Sequence, residues 1–136
     1  MPRRTPGEIR SQLPLRNTGH SRRTVIGGLS ASTNRQIAQF ERERRLPRGD
    51  IALAFHRWAQ RAGRGRNAEE WHYGYSDVAT GHIRTLLDLA ARNLRPRARR
   101  ELQAALTPID ARVQKRTVND PFAPRHLPWW QRRIEI

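Results

Sequence analysis

Residues 50–62 run Asp50-Ile51-Ala52-Leu53-Ala54-Phe55-His56-Arg57-Trp58-Ala59-Gln60-Arg61-Ala62, and the fold class turns on how they are read. Ile51, Ala54, Phe55, Trp58 and Ala62 recur at three- and four-residue spacing, which sets them on one stripe of an α-helix. A stripe of that width has to pack against another apolar surface. Asp50 is placed to cap this helix, and Gly63 to end it.

Toward the C-terminus the same period returns twice. A helix is predicted from Ser76 or Asp77 to Leu94, with Ala79, Ile83, Leu86, Leu87, Ala90 and Leu94 on one face. Opposite them, Arg84, Asp88 and Arg92 are spaced four apart, as on a solvated surface. Pro96 suits the first turn of a further helix, where a missing N–H costs nothing. Ala98, Leu102, Ala105, Leu106, Ile109 and Val113 keep one helical phase across Pro108, so the segment is either one kinked helix or two that share a face. From Thr117 the order becomes irregular, through Asn119-Asp120-Pro121-Phe122-Ala123-Pro124 and Leu127-Pro128-Trp129-Trp130, with no strong strand alternation.

Toward the N-terminus, Leu46-Pro47-Arg48-Gly49 separates residues 50–62 from a weaker helix over Ser32–Arg45, with Ser32 as its cap and Ile37 and Phe40 as its apolar face. Val25–Leu29 is a short apolar patch with two glycines, suited to a turn or an edge contact. Before it, residues 1–24 carry Arg3, Arg4, Arg10, Arg16, Arg22 and Arg23 against Glu8 alone, with prolines interspersed. Such a segment is expected to be disordered in isolation. The expected fold is therefore all-α: a basic arm over 1–31, a three- or four-helix unit over 32–117 and an extended Pro/Trp tail over 118–136.

At 136 residues the chain holds one modest core. Apolar residues make up 36%, below the roughly 45 to 50% of ordinary globular chains, so part of the length is expected to stay outside that core. The 27 basic and 12 acidic residues leave a formal charge of +15, which favours a polyanionic partner that would relieve self-repulsion. All the basic residues except Lys115 are arginine, whose planar guanidinium holds phosphate through paired hydrogen bonds. A G+C-rich coding sequence would give the same preference for arginine, but it leaves the shortage of carboxylates unexplained.

With no cysteine, neither a disulfide framework nor a thiolate-bound metal is available. No run approaches the roughly 18 apolar residues that span a bilayer. Ser21-Arg22-Arg23-Thr24-Val25-Ile26 resembles a twin-arginine export signal, but Arg35 interrupts the apolar stretch and Gly, Ser and Thr dilute it. A cytoplasmic location is the expectation.

Phosphate contacts are expected from the arginines of the arm, from Arg64 and Arg66 in a glycine loop, and from Arg97, Arg99 and Arg100 at the start of the last helix. Cations at a helix N-terminus oppose its dipole, and a nearby anion would relieve that conflict. Residues 32–62 can be drawn as a helix-turn-helix offering His56, Arg57, Gln60 and Arg61 to a groove. The end that normally reads bases is here Ile51-Ala52-Leu53, so an antiparallel helical hairpin fits better.

Trp71, Tyr73, Tyr75, Trp129 and Trp130 lie among arginines, yet neighbouring residues point apart, so Trp129 and Trp130 make a poor base-stacking platform. Packing within the chain, or anchoring on a protein, suits them better. Glu69 and His72 have a metal-bundle spacing with no second pair, the other histidines are scattered, and no nucleophile or phosphate-loop motif occurs. No cofactor is expected. The function expected is non-enzymatic binding of DNA or RNA through its phosphates, and the alternative is an adaptor whose arm and tail, through Trp129 and Trp130, dock on an acidic protein.

Overall fold

The computed structural model describes residues 24–64 and 77–135. Within them lie four helices, α1 (Ala31–Glu43), α2 (Asp50–Arg64), α3 (Asp77–Arg92) and α4 (Pro96–Arg116), followed by strands β1 (Thr117–Asn119) and β2 (Arg133–Glu135). The mostly helical architecture agrees with the periodic stripes. Ile51, Ala54, Trp58 and Ala62 of α2, Leu87, Ala90 and Leu94 of α3 and its C-terminal turn, and Ala98, Leu102, Leu106, Ile109 and Val113 of α4 are all buried in one core. Pro108 sits inside a single continuous α4.

Polar contacts fix the helix directions. Arg95 donates its backbone N–H to Gln36 Oε1 at 3.0 Å, and Ser30 donates its backbone N–H to Glu101 Oε1 at 2.8 Å, so α1 and α4 run antiparallel. Helix α2 starts beside Glu41 and reaches Asp110 through Trp58, so it climbs alongside α4. Helix α3 meets Asp110 through Arg84 and then descends to the start of α4. The result is an up-down arrangement in which α1 and α3 finish where α2 and α4 begin.

Three local readings are corrected. The cap of α1 is Ser30 rather than Ser32, because Ser30 Oγ accepts from Thr33 N at 3.2 Å. Asp50 lies inside the first turn of α2; the N–H groups of Gly49 and Ile51 donate instead to Glu41, at 3.2 and 2.9 Å. Glu41, which accepts both, is only 1% exposed. Gly63 does not stop α2, which continues to Arg64.

The core begins before α1. Asn34 pins the short apolar patch, accepting from Ile26 N at 3.0 Å and donating to Ile26 O at 3.1 Å, and Ile26 is buried. Gly28 turns the chain there with φ +89°, a conformation open to glycine at little cost.

The tail folds back on the bundle. Strands β1 and β2 pair antiparallel with Thr117 opposite Glu135, Val118 opposite Ile134 and Asn119 opposite Arg133. Each strand is three residues long, too short for alternation to show in sequence. Arg133 locks the ribbon to the end of α4, donating to Thr117 Oγ1, Gln114 O and Thr117 O at 2.8 to 2.9 Å. Such cationic donors satisfy carbonyls that a helix end leaves unpaired.

Candidate functional site

The end of the unit where α1 passes into α2 and α3 into α4 gathers exposed arginines. Arg42, at the end of α1, joins Arg44, Arg45 and Arg48 of the first connection, and Arg92, Arg97 and Arg100, at the facing ends of α3 and α4, flank Arg95 of the second; all are exposed. Arg44 lies over the Phe40 ring at 5.4 Å, keeping its stem on apolar surface and its charge in water.

The first connection is tightly specified. Leu46 N donates to Glu41 O at 2.8 Å and Arg45 N to Arg42 O at 3.1 Å, the paired closure of a Schellman motif. Glycine normally takes its left-handed position, but here Arg45 does, with φ +56°. For a residue with a side chain that conformation costs about 1 kcal/mol. The cation is held out from the turn at an energetic cost, with Leu46 tucked against the core behind it.

At the second connection, α4 starts without a side-chain cap and without an acidic residue in its first turn. Arg97 and Arg100 are exposed there, as the phosphate reading requires. Arg99 is engaged elsewhere: it lies back on α3 and donates to Ala91 O at 3.2 Å, Arg92 O at 3.1 Å and Leu94 O at 3.4 Å. The backbone of Arg64 closes α2. Arg3, Arg4, Arg10, Arg16, Arg22, Arg23 and Arg66, and the aromatic tract Trp71 to Tyr75 with Glu69, lie outside the described residues.

The carboxylates explain why so much positive charge is left. Glu41 is spent on backbone N–H groups, and Asp110 on Trp58 and Arg84. Glu135 pairs with Arg61, Asp88 with Arg92 at 2.9 Å, and Asp120 accepts from Phe122 N at 2.9 Å. Glu101 accepts from Ser30 N and Ser30 Oγ, and that backbone hydrogen bond, foremost, holds its carboxyl below the usual range. Committed to the fold, most of these acids neutralise no surface arginine.

Arg84 was expected on a solvated face beside Asp88. It is instead only 8% exposed, and it grips Asp110 through Nε and Nη2, both at 2.9 Å. Its guanidinium also lies over Trp130, 4.3 Å from the ring centroid. Trp130 Nε1 donates to Thr85 Oγ1 at 2.8 Å, while Trp129 meets Trp58 at 6.5 Å and Trp130 edge-on at 5.7 Å. Trp129 and Trp130 are thus half-buried against the bundle and do not form a parallel stacking pair. Arg61, one of the residues a helix-turn-helix would offer to a groove, is buried and ion-paired with Glu135.

The tail's freely exposed aromatic is Phe122, which the sequence reading left unassigned; its one signal was the flanking Pro121 and Pro124. An open groove of about 550 Å³ between Val25–Gly27 and α2 is lined by apolar side chains and His56. Among the described residues no cluster of three or more His, Asp or Glu could hold a metal ion, and no helix is long and apolar enough to cross a membrane. Comparison with known protein families, with characterised proteins and with solved structures finds no match.

Proposed function

We propose that this protein is a non-enzymatic, nucleic-acid-associated protein that holds the phosphate backbone of DNA or RNA with little sequence preference. One observation carries the reading: apart from Glu43, Asp50 and Asp88, the described carboxylates are consumed by the fold, while arginines around two connections stand exposed at one end. Clustered guanidinium groups bind phosphate by displacing condensed counterions, and this rewards charge density rather than base identity. The uncapped start of α4 adds free backbone N–H donors and the positive pole of its dipole to the same surface. Arg97, Arg100 and the α1–α2 arginines supply the footprint, and the arm's arginines extend it. A cytoplasmic location, where nucleic acid is at hand, belongs to the same reading.

Gel-shift titrations with generic duplex DNA and with RNA across a salt series test it. The logarithm of affinity should fall linearly with the logarithm of salt. Replacing Arg97 and Arg100 together by alanine should reduce the slope by about 2 on DNA, near 0.9 per phosphate contact. Arg99→Ala should leave the slope in place, because that guanidinium serves the end of α3. No binding at low salt, or binding indifferent to salt, would overturn the proposal.

A further inference from the structure

At the other end of the molecule the ribbon and its loop present apolar surface that the fold does not use. Strand residues divide by face: Thr117 is buried and Glu135 pairs with Arg61, while their neighbours Val118 and Ile134, opposite each other in the register, are 43% and 41% exposed. The loop they close carries Phe122, 92% exposed. A large aromatic so far in water lowers the solubility of the free protein, and nothing in the fold requires it there.

Phe122 is also held in place. Asp120 N donates to Arg132 O at 2.7 Å, Phe122 N to Asp120 Oδ1 at 2.9 Å, and Ala123 N to Asp120 O at 3.2 Å, so a closed turn fixes its backbone between Pro121 and Pro124. Ordering costs that usually weaken association are therefore met in the free protein. The loop is anchored further by Trp129 on Trp58 and Trp130 on Thr85.

The surrounding charge identifies the partner. Arg112, Lys115 and Arg116 on the last turns of α4 and Arg125 in the loop are exposed. The two acids of this element, Asp120 and Glu135, are bound within it. A second copy of the chain would bring like charge to this surface, whereas an acidic surface meets it with opposite charge.

We propose that the β1–β2 ribbon and its Phe122 loop form a docking surface for an acidic protein segment that offers a pocket or an apolar side chain to Phe122, Val118 and Ile134. Phe122 is the anchor, and the basic rim sets orientation and encounter rate. The surface lies about 30 Å along α4 from Arg97, by the 1.5 Å rise of a helix, so one molecule has room for nucleic acid at one end and protein at the other.

The test is selection of random peptides displayed on phage against the immobilised full-length protein, with Phe122→Ser as counter-selection. The expected peptides carry Asp or Glu around one or two large apolar positions. Phe122→Ala should weaken the synthesised winners by at least about tenfold, the loss typical of an interface anchor. The melting temperature should stay unchanged because the ring touches almost nothing, and Val118→Ser with Ile134→Ser should give a smaller loss.

Selection that yields no such peptides, or peptides indifferent to Phe122, overturns the proposal. So does Phe122-dependent self-association in sedimentation, which would make the occupant a second copy, or Phe122-dependent binding to anionic lipid vesicles in place of peptide. The salt-dependent gel shift reads the other end and should be identical in Phe122→Ala, so the two proposals fail separately.

Discussion

Replacing Glu41 tests how the basic turn is built. Its carboxylate sits 1% exposed between α1 and α2 and receives the N–H groups of Gly49 and Ile51. Alanine at this position removes both acceptors. Ile51 is fully buried and Gly49 nearly so, which leaves water little access to either donor. A buried donor stripped of its partner costs about 1 to 3 kcal/mol, so two give a loss of about 2 to 6 kcal/mol.

For a chain of this length, unfolding entropy converts each kcal/mol into about 4 °C, and Glu41→Ala should melt about 8 to 24 °C below the parent. Glu41→Gln keeps one carbonyl oxygen but turns an amide toward the other donor, and should fall about halfway. Urea titration followed by far-ultraviolet circular dichroism gives the free energies, and differential scanning calorimetry gives the melting points. Because the turn carries Arg45 and Arg48, weaker nucleic-acid binding should accompany the destabilisation. An alanine variant within about 1 kcal/mol of the parent, or a glutamine variant as damaged as the alanine, would refute the capping argument.

Two further outcomes follow from the carboxylates. Asp110→Ala strands the buried Arg84 guanidinium and the Trp58 indole N–H and should cost about 3 to 5 kcal/mol in urea, while Arg84→Met with Asp110→Leu should recover the part due to the stranded charge but not the part due to Trp58; equal losses would show that the pairing is not what matters. Glu101, held below its ordinary value of 4.5 by the Ser30 N–H, contributes stability that is present above that value and lost as pH falls through the lowered one. Glu101→Gln should therefore melt below the parent near neutral pH, with the gap closing in acid; a gap independent of pH would remove the carboxylate's charge from the explanation.

The helices were legible because their information is local. Ile51, Ala54, Trp58 and Ala62 declare a face within a dozen residues, and Leu102, Leu106, Ile109 and Val113 declare another straight through Pro108. What stayed hidden depends on partners distant in sequence. Arg84 has an apt neighbour in Asp88, yet its carboxylate is Asp110 from the next helix, and burial makes that contact the stronger one. Glu41 stands in a tract of mixed charge that reads as solvated surface, and only the return of α2 gives it N–H groups to accept.

Arg99 shows the limit for the candidate site. Arg97, Arg99 and Arg100 are alike as residues, but helix phase turns one of them back onto the carbonyls that end α3. Packing of Trp129 and Trp130 within the chain was among the expectations, but where the tail docks was out of reach, since its hold on the bundle is a set of long-range contacts with no period.

The meeting of Trp58 with Trp129 and Trp130 makes this molecule its own optical gauge. Of its four tryptophans, one belongs to α2 and two to the tail; Trp129 lies 6.5 Å from Trp58 and 5.7 Å from Trp130, ring centre to ring centre. At such separations indoles exchange excitation and couple their transition dipoles, so near-ultraviolet dichroism and emission polarisation carry a contribution from the Trp58–Trp129 pair that is lost when the tail lifts away. Undocking by heat, by a competing peptide or by a bound polyanion can be followed in the native chain, without a dye.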